Sequence, residues 1–439
     1  MNTAEKSYLL IRPKYFATVA AVEPLGLEYL AAVLKSAGKR YEILDEFVRP
    51  YAFRFRRIVS RIKNQGYNVI CFSTTSNKAH YVLATARKLK VMFPDITIFL
   101  GGVEVTLNPR DFFLDYVDVV YYDHGLTAFQ DIVEADLSPE SLDAAGGVAW
   151  RGPSHWRENP AGPPVGDYHV LPDRENFYRH QKGYYIIGKG SFALLKASFS
   201  CPQACSFCVS RMLNGCAYRE RPIEAVLGEI ESIRCDKIWI IDDDFLANRE
   251  RVEAICNALL ERGIKKLFQI FARADSILAM ADLLPLLHKA GFRDMLVGLE
   301  AVEDRFLDQY NKNSSVDTNE QAVDLLRENR ILCNGLFVMS QHFDGRNFEA
   351  VHRFIKRKKL TWTLFSILTP YKGSELYNQE KDNLYRYEYS RSGGTRIILP
   401  PTKMGFFRYY WHFNMLYVRR YPKLYWATLT GKYKRLVKD

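Results

Sequence analysis

The chain opens with short apolar runs separated by stretches of helical spacing. Tyr8–Ile11, Tyr41–Leu44, Asn68–Phe72, Ile96–Leu100 and Val117–Tyr122 each have the length of a buried strand. Between them, Leu27–Ser36, closed by Ala37-Gly38, and Ala79–Phe93, closed by Pro94, carry apolar residues at helical intervals. Strands alternating with helices need crossover connections, so residues 1–135 are expected to form a parallel, doubly wound, Rossmann-like α/β sheet. Ligands of such sheets lie beyond the carboxyl ends of the strands. There the chain places Ser73-Thr74-Thr75-Ser76-Asn77, Gly101-Gly102 and Asp123-His124-Gly125. All but the histidine are small or short and polar, which lets a ligand come close to the backbone.

From about 136 to 187 the periodicity breaks at Gly146-Gly147, Gly152-Pro153 and Pro160-Ala161-Gly162-Pro163-Pro164, and this stretch reads as a connection. Alternation resumes over 188–377. Strands are expected at Phe192–Ser198, Lys237–Ile241, Leu267–Phe271, Asp294–Leu299, Gly335–Met339 and Thr363–Thr369. Helices are expected at Pro222–Ile233, Arg251–Arg262 and Thr318–Glu328, the last opened by Thr318 and Gln321 at capping-box spacing. Six such units imply a partial barrel with its chemistry at the carboxyl ends of the strands. The remaining stretch, 378–439, is aromatic and basic, and Phe406, Tyr410, Phe413 and Tyr417 fall on one helical face.

Composition adds limits. With 439 residues, 48% of them hydrophobic and 25% charged, the chain matches a folded protein of two or three domains. No apolar run is long enough to cross a membrane and no signal peptide is read, so a cytoplasmic protein with reduced thiols is expected. The net charge of +11 sits largely in Lys356-Arg357-Lys358-Lys359 and in the C-terminal stretch. A nucleic-acid partner has neither an appended binding module nor a single basic element behind it. The last region has two readings: a stripe packed across the barrel, or an amphipathic helix at a membrane surface, with Phe406, Phe407, Tyr409, Tyr410, Trp411 and Phe413 followed by Arg419, Arg420 and Lys423. The second would suit a lipid substrate.

Chemistry concentrates in Cys201-Pro202-Gln203-Ala204-Cys205-Ser206-Phe207-Cys208, just after the first barrel strand. Three thiolates can hold three corners of an iron–sulfur cluster and leave one iron open to a further ligand. On spacing alone a structural zinc site completed by Cys216 stands beside that reading. Cys71, Cys256 and Cys333 lie in apolar contexts and are read as core.

This CxxxCxxC run after the first strand of a six-unit barrel resembles the radical S-adenosylmethionine superfamily. Other segments extend the resemblance. Phe207 matches the aromatic beside the adenine, and Ile240-Ile241-Asp242-Asp243-Asp244-Phe245 resembles the acidic motif that meets the amino group of the cofactor. Gly298-Leu299-Glu300 resembles the fourth-strand segment whose glutamate lies near the ribose or the amino group. Thr369-Pro370-Tyr371-Lys372-Gly373-Ser374-Glu375-Leu376-Tyr377 resembles the sixth-strand segment. Ser200 and Ser340 stand where relatives usually have glycine. Each match has a plainer alternative: the aspartates could cap the next helix, and Glu300 could belong to a structural ion pair.

The first half resembles the cobalamin-binding branch of the same superfamily. Glu23-Pro24-Leu25-Gly26-Leu27-Glu28-Tyr29-Leu30-Ala31-Ala32-Val33-Leu34 and Ile43-Leu44-Asp45 carry this likeness, with Ile98–Thr106, whose Gly101-Gly102 lie against the nucleotide tail of cobalamin in relatives. With Pro401-Thr402-Lys403-Met404 it covers nearly the whole chain. The Asp-x-His-x-x-Gly element that supplies a cobalt ligand in many cobalamin proteins is absent, and no histidine precedes His80. A domain that only shapes the substrate cavity is therefore the alternative to bound cobalamin.

The resemblance implies a cobalamin-binding-type domain, a partial (β/α)6 barrel and a C-terminal helical extension. It implies a 4Fe–4S cluster on Cys201, Cys205 and Cys208, with S-adenosylmethionine at Phe207, Asp242, Asp243 and Glu300. Cobalamin would lie near Ser73, Thr74, Gly101 and Gly102. It also implies an electron donor of the reductase or flavodoxin class. The expected chemistry is a 5′-deoxyadenosyl radical that takes hydrogen from an unactivated carbon, leading to C-methylation of a small molecule or lipid. Cobalamin-independent dehydration, cyclisation or rearrangement is the alternative.

Overall fold

The computed structural model describes residues 5–13, 20–48, 54–123, 125–163, 165–186, 188–385 and 394–422. The chain divides into two compact units, Met1–Ile186 with Met212–Gly215, and Ile187–Arg211 with Cys216–Asp439.

In the first unit a seven-stranded sheet is built from β1 (Ser7–Arg12), β2 (Arg40–Asp45), β3 (Val69–Ser73), β4 (Thr97–Gly101), β5 (Val119–Tyr121), β6 (Val148–Arg151) and β7 (Trp156–Glu158). Its order is β2-β1-β3-β4-β5-β6-β7. The first five strands are parallel, and β6 and β7 are added antiparallel at the edge. Tyr8, Leu9, Leu10 and Ile11 are all fully buried, the continuous apolar run of a strand covered on both faces. The connections are α1 (Leu25–Ser36), α2 (Arg54–Gln65), α3 (Ala79–Met92) and the short α4 (Val103–Leu107). The order in which strands are added to the sheet reverses between β1 and β3, and ligands of such sheets lie at the carboxyl end of that pair.

The reading of 136–187 as a connection needs correction. Residues 148–158 form a hairpin that extends the sheet, with Val119 paired to Trp150 and Tyr121 to Val148. The glycines that hid it allow tight packing: Gly147 has φ +65°, and a Cβ there would stand 2.6 Å from Asp123.

The second unit holds a six-stranded, all-parallel sheet in sequential order: β8 (Ala193–Leu195), β9 (Lys237–Ile240), β10 (Leu267–Arg273), β11 (Phe292–Glu300), β12 (Leu332–Met339) and β13 (Trp362–Ile367). The intervening helices include α5 (Ile223–Ser232), α6 (Arg249–Glu261), α7 (Val316–Glu328) and α8 (Gly345–Arg357). One boundary differs from expectation. Ser315, not Thr318, caps α7, because its side chain accepts the Thr318 N–H, while Gln321 bonds Asp317 instead of closing a capping box.

The C-terminal helix α9 (Phe406–Arg420) packs on this unit, burying Tyr409, Phe413 and Leu416. The buried stripe is thus offset from the expected Phe406-Tyr410-Phe413-Tyr417 face. Tyr410 and Tyr417 are half-buried because their hydroxyls reach backbone: Tyr417 Oη donates to Phe365 O at 2.6 Å and accepts from Phe365 N at 3.2 Å. Tyr421 does the same at Thr363, at 3.0 and 2.7 Å. Alternate residues of β13 turn these groups toward its open edge, and residues four apart on a helix match that spacing. The two tyrosines thus satisfy an edge that would otherwise be free to pair with another chain. Lys423 lies outside the described residues. No helix among the described residues is long and apolar enough to cross a membrane.

Candidate functional site

At the carboxyl end of the first sheet, Ser73 pairs with Gly101 in register, Thr74 N–H donates to Gly101 O at 2.7 Å and Glu104 N–H donates to Thr74 O at 3.2 Å. Gly102 has φ +99°, and a Cβ there would fall 2.7 Å from both Thr74 N and Thr74 O. The chain's own packing therefore demands this glycine. Gly101 is different, since a Cβ would make only ordinary contact with Tyr121 O at 3.6 Å. The Thr74 hydroxyl is buried with no hydrogen-bond partner, in a position suited to a bound group. Glu104 behind it bonds Ser76 and Asn108. His124 lies outside the described residues.

After β1, where many cobalamin proteins carry their histidine, Arg12 is tied to Asp45 through bonds of 3.0 and 2.5 Å and to the carbonyls of Val22 and Glu23. Tyr184 Oη donates to Asp45 at 2.6 Å. Nearby, Glu23 pairs with Arg174 at 2.8 Å. Glu28 on α1 is fully buried, with Glu23 as its hydrogen-bonding neighbour. Burial, then the neighbouring Glu23, pushes its pKa well above the carboxylate range, so it is held as the neutral acid.

At the carboxyl end of the second sheet, the three cysteines sit on one loop following β8. Ser200 before them takes a left-handed φ of +67°, the conformation that explains why glycine is frequent there. The loop is clamped from two sides. Ser206 N–H donates to Tyr310 O at 3.0 Å, and Asn311 Nδ2 donates to Ala204 O at 2.9 Å. Leu376 N–H, from the segment after β13, donates to Ser206 O at 2.8 Å. Phe207 meets Tyr310 edge to face, with ring centroids 5.6 Å apart. Burial raises the Cys201 thiol to about 11 and raises Cys208 as well, so ligation there has to supply the stabilisation of the thiolates. Among the described residues no group of three or more His, Cys, Asp or Glu side chains is gathered around one point.

The three aspartates after β9 have different surroundings. Asp242 accepts from Ala197 N at 2.7 Å and Ser198 Oγ at 2.8 Å, so both of its oxygens tie down the end of β8. Asp244 accepts from Leu246 N and from Ser276 Oγ at 2.6 Å, which caps the following turn. Asp243 alone keeps a buried oxygen, Oδ2, with no partner. Each oxygen of Asp242 thus already accepts one bond, whereas Asp243 Oδ2 accepts none. Glu300, at φ +56°, forms a buried ion pair with Lys312 Nζ at 3.0 Å. Ser340 Oγ bonds Gln309 Oε1 at 3.0 Å.

Arg273 and Lys312 escaped the sequence reading. Arg273 ends β10, two residues past the expected end of that strand, and its Nη1 lies 3.6 Å from Cys205 Sγ. A buried cation at the carboxyl end of a barrel strand was the available signal. Lys312 lies in a loop and carried none.

Family profiles match both units. The radical SAM superfamily profile covers residues 196–355, and the B12 binding domain profile covers residues 17–133. The chain is 25% identical to the hopanoid C-3 methylase of Methylococcus capsulatus over 396 residues, covering 88% of this chain and 74% of the relative. It is 24% identical to the anaerobic magnesium-protoporphyrin IX monomethyl ester cyclase of Rubrivivax gelatinosus, covering 90% and 74%. Its fold is shared with the radical S-adenosylmethionine methyltransferase TsrM from Kitasatospora setae, solved with cobalamin and a [4Fe–4S] cluster (TM-score 0.69, 15% identity, 93% of this chain and 85% of that one). The fold is also shared with the cobalamin-dependent radical enzyme OxsB (TM-score 0.67, 18% identity). This chain covers 86% of its own length in that match and spans 55% of OxsB. A radical SAM domain works with a 4Fe–4S cluster and S-adenosylmethionine, and the B12 domain adds cobalamin. The chain belongs to the radical S-adenosylmethionine superfamily, in its cobalamin-binding branch.

Proposed function

We propose that the chain is a C-methylase that activates an unreactive carbon of a largely apolar small molecule. The observation that carries this reading is the loop of three cysteines, clamped at the carboxyl end of the barrel in a chain that also carries a B12 domain. When bound, the cluster and S-adenosylmethionine supply a hydrogen-abstracting radical, and cobalamin supplies a methyl group.

The chain's own residues bind and orient these groups. Cys201, Cys205 and Cys208 are the proposed cluster ligands. Asp243 Oδ2, buried and unpartnered, is the proposed acceptor for the ammonium group of S-adenosylmethionine. Phe207, braced by Tyr310, offers an apolar face to the adenine. Glu300, held by Lys312, presents an acceptor for the ribose. Thr74, with the backbone of Gly101 and Gly102, is the proposed support for the corrinoid.

The names of the relatives favour an apolar substrate, and α9 supports a place to meet it. Phe407 is 86% and Trp411 50% exposed, one turn apart on the helix. Residues 394–422 contain five cations and no carboxylate, and Arg396, Lys403 and Arg408 are exposed. Exposed aromatics beside exposed cations suit the interface of an anionic bilayer. An electron donor of the reductase or flavodoxin class completes the proposal.

The test is transfer of label from methyl-labelled S-adenosylmethionine, with dithionite and cobalamin, to a hopanoid or a tetrapyrrole supplied to the reconstituted chain. Labelled product is expected. Consumption of substrate without label would replace methylation by cyclisation or dehydration.

A further inference from the structure

We propose that Arg273 is a positioning residue for the cluster, donating a charged hydrogen bond to the Cys205 sulfur and thereby raising the cluster's reduction potential. The proposal rests on Cys205 being a cluster ligand. It goes beyond that reading by assigning a role to a side chain outside the proposed binding set.

The guanidinium is fixed without help from the sulfur. Its Nε donates to Asp275 Oδ1 at 2.9 Å, and its Nη2 donates to Asp275 Oδ2 at 2.8 Å and to Lys312 O at 2.6 Å. Arg273 is 4% exposed, so the fork has no freedom to swing into water. With Nε and Nη2 held in this way, the rigid plane of the group delivers Nη1 to Cys205 Sγ at 3.6 Å, within range for a sulfur acceptor. The other two thiols meet neutral donors, the Gln203 backbone at Cys201 and Ser210 at Cys208, and Arg273 reaches Cys201 only through its charge, beside the carboxylates of Asp243 and Asp244. Charge in this corner is otherwise nearly balanced. Lys312 is paired with Glu300, and Asp275 faces Arg273 from a third-exposed position where water screens it.

A thiolate-bound cluster becomes more negative when it takes up an electron. Hydrogen bonds to its sulfurs favour the reduced form, and they are among the factors that set such potentials. A cationic donor that is itself 4% exposed acts in the same direction and more strongly than a neutral one. Arg273 therefore eases electron entry from an external donor.

The experiment is an EPR-monitored redox titration of the anaerobically reconstituted full chain without S-adenosylmethionine, so that any contact with that cofactor is removed from the readout. Iron and sulfide content is measured alongside. Arg273→Gln is expected to hold a full cluster whose midpoint is more negative by about 59 mV, a tenfold change for one electron. Arg273→Lys is expected to recover part of the shift. An unchanged midpoint in Arg273→Gln, or no recovery in Arg273→Lys, overturns the proposal. If Arg273→Gln fails to assemble its cluster, pulsed EPR of the wild type grown with ¹⁵N-arginine decides. Nitrogen coupling to the reduced cluster supports the bond, and its absence refutes it. A wild-type chain with no reduced-cluster signal would instead sink the assignment of the cysteines.

Discussion

Gly298 and Glu300 compete for one space on β11. A Cβ at 298 would stand 2.5 Å from Glu300 Oε1 and 2.9 Å from Lys312 Nζ, so the glycine is what lets the glutamate fold back and reach its lysine. The pairing of β11 with β12 shifts register between these two residues, and Glu300 adopts φ +56° beyond the shift. The Gly-Leu-Glu segment thus encodes an ion pair as well as a strand end.

Gly298→Ala should therefore act on the site without touching it. Overpacking of this kind costs about 1–3 kcal/mol. Denaturant unfolding should show that loss, and titration of the reconstituted protein with S-adenosylmethionine should show weaker binding. Wild-type affinity in Gly298→Ala would remove Glu300 from the proposed binding set.

Lys312→Met leaves a carboxylate buried without its partner, a change that typically costs about 3–5 kcal/mol. Glu300→Gln combined with Lys312→Met removes both charges and should recover most of that stability. If thermal unfolding showed the double variant no better than the single, the pair would not be the interaction that Lys312 serves.

Glu28 makes stability depend on pH. Its folded pKa is raised well above the ordinary glutamate value of 4.5, chiefly by burial, so folding takes up a proton. The stabilisation is fully present below the unfolded pKa and is lost as pH rises toward the folded one, at about 1.36 kcal/mol per pH unit. Glu28→Gln, which cannot ionise, should lose less stability than wild type as pH is raised from 4.5. Parallel stability–pH curves would show that this carboxyl is not held neutral.

The exposed aromatics of α9 predict binding to anionic vesicles. Co-sedimentation with phosphatidylglycerol-containing vesicles should fall roughly tenfold in Phe407→Ser/Trp411→Ser and weaken at high salt. Circular dichroism should be unchanged, because neither side chain lies in the buried stripe of Tyr409, Phe413 and Leu416. Equal sedimentation of wild type and variant would argue against a membrane role for these residues.

Parts of this architecture were legible in the sequence because the physics is local. Strands such as β1 and β4 are buried on both faces and read as unbroken apolar runs. The cysteine loop needs only its spacing. Other parts depend on tertiary context. Helix α2 buries just Ile58 and Ile62 among basic residues, too few to mark a face. The β6–β7 hairpin is masked by glycines that its own packing requires. Asp242, Asp243 and Asp244 are chemically identical in the sequence, and only their neighbours tell the two acids bonded through both oxygens from the one with an unpartnered oxygen. Arg273 and Lys312 acquire meaning from contacts with residues 68 and 12 positions away.

The account depends most on Cys201, Cys205 and Cys208 holding a cluster that reduces S-adenosylmethionine. The direct measurement is 5′-deoxyadenosine released by the anaerobically reconstituted chain given S-adenosylmethionine and dithionite. Release by the wild type and none by Cys205→Ala is the predicted result. Absence of the nucleoside from both, or equal amounts from the two proteins, would contradict it.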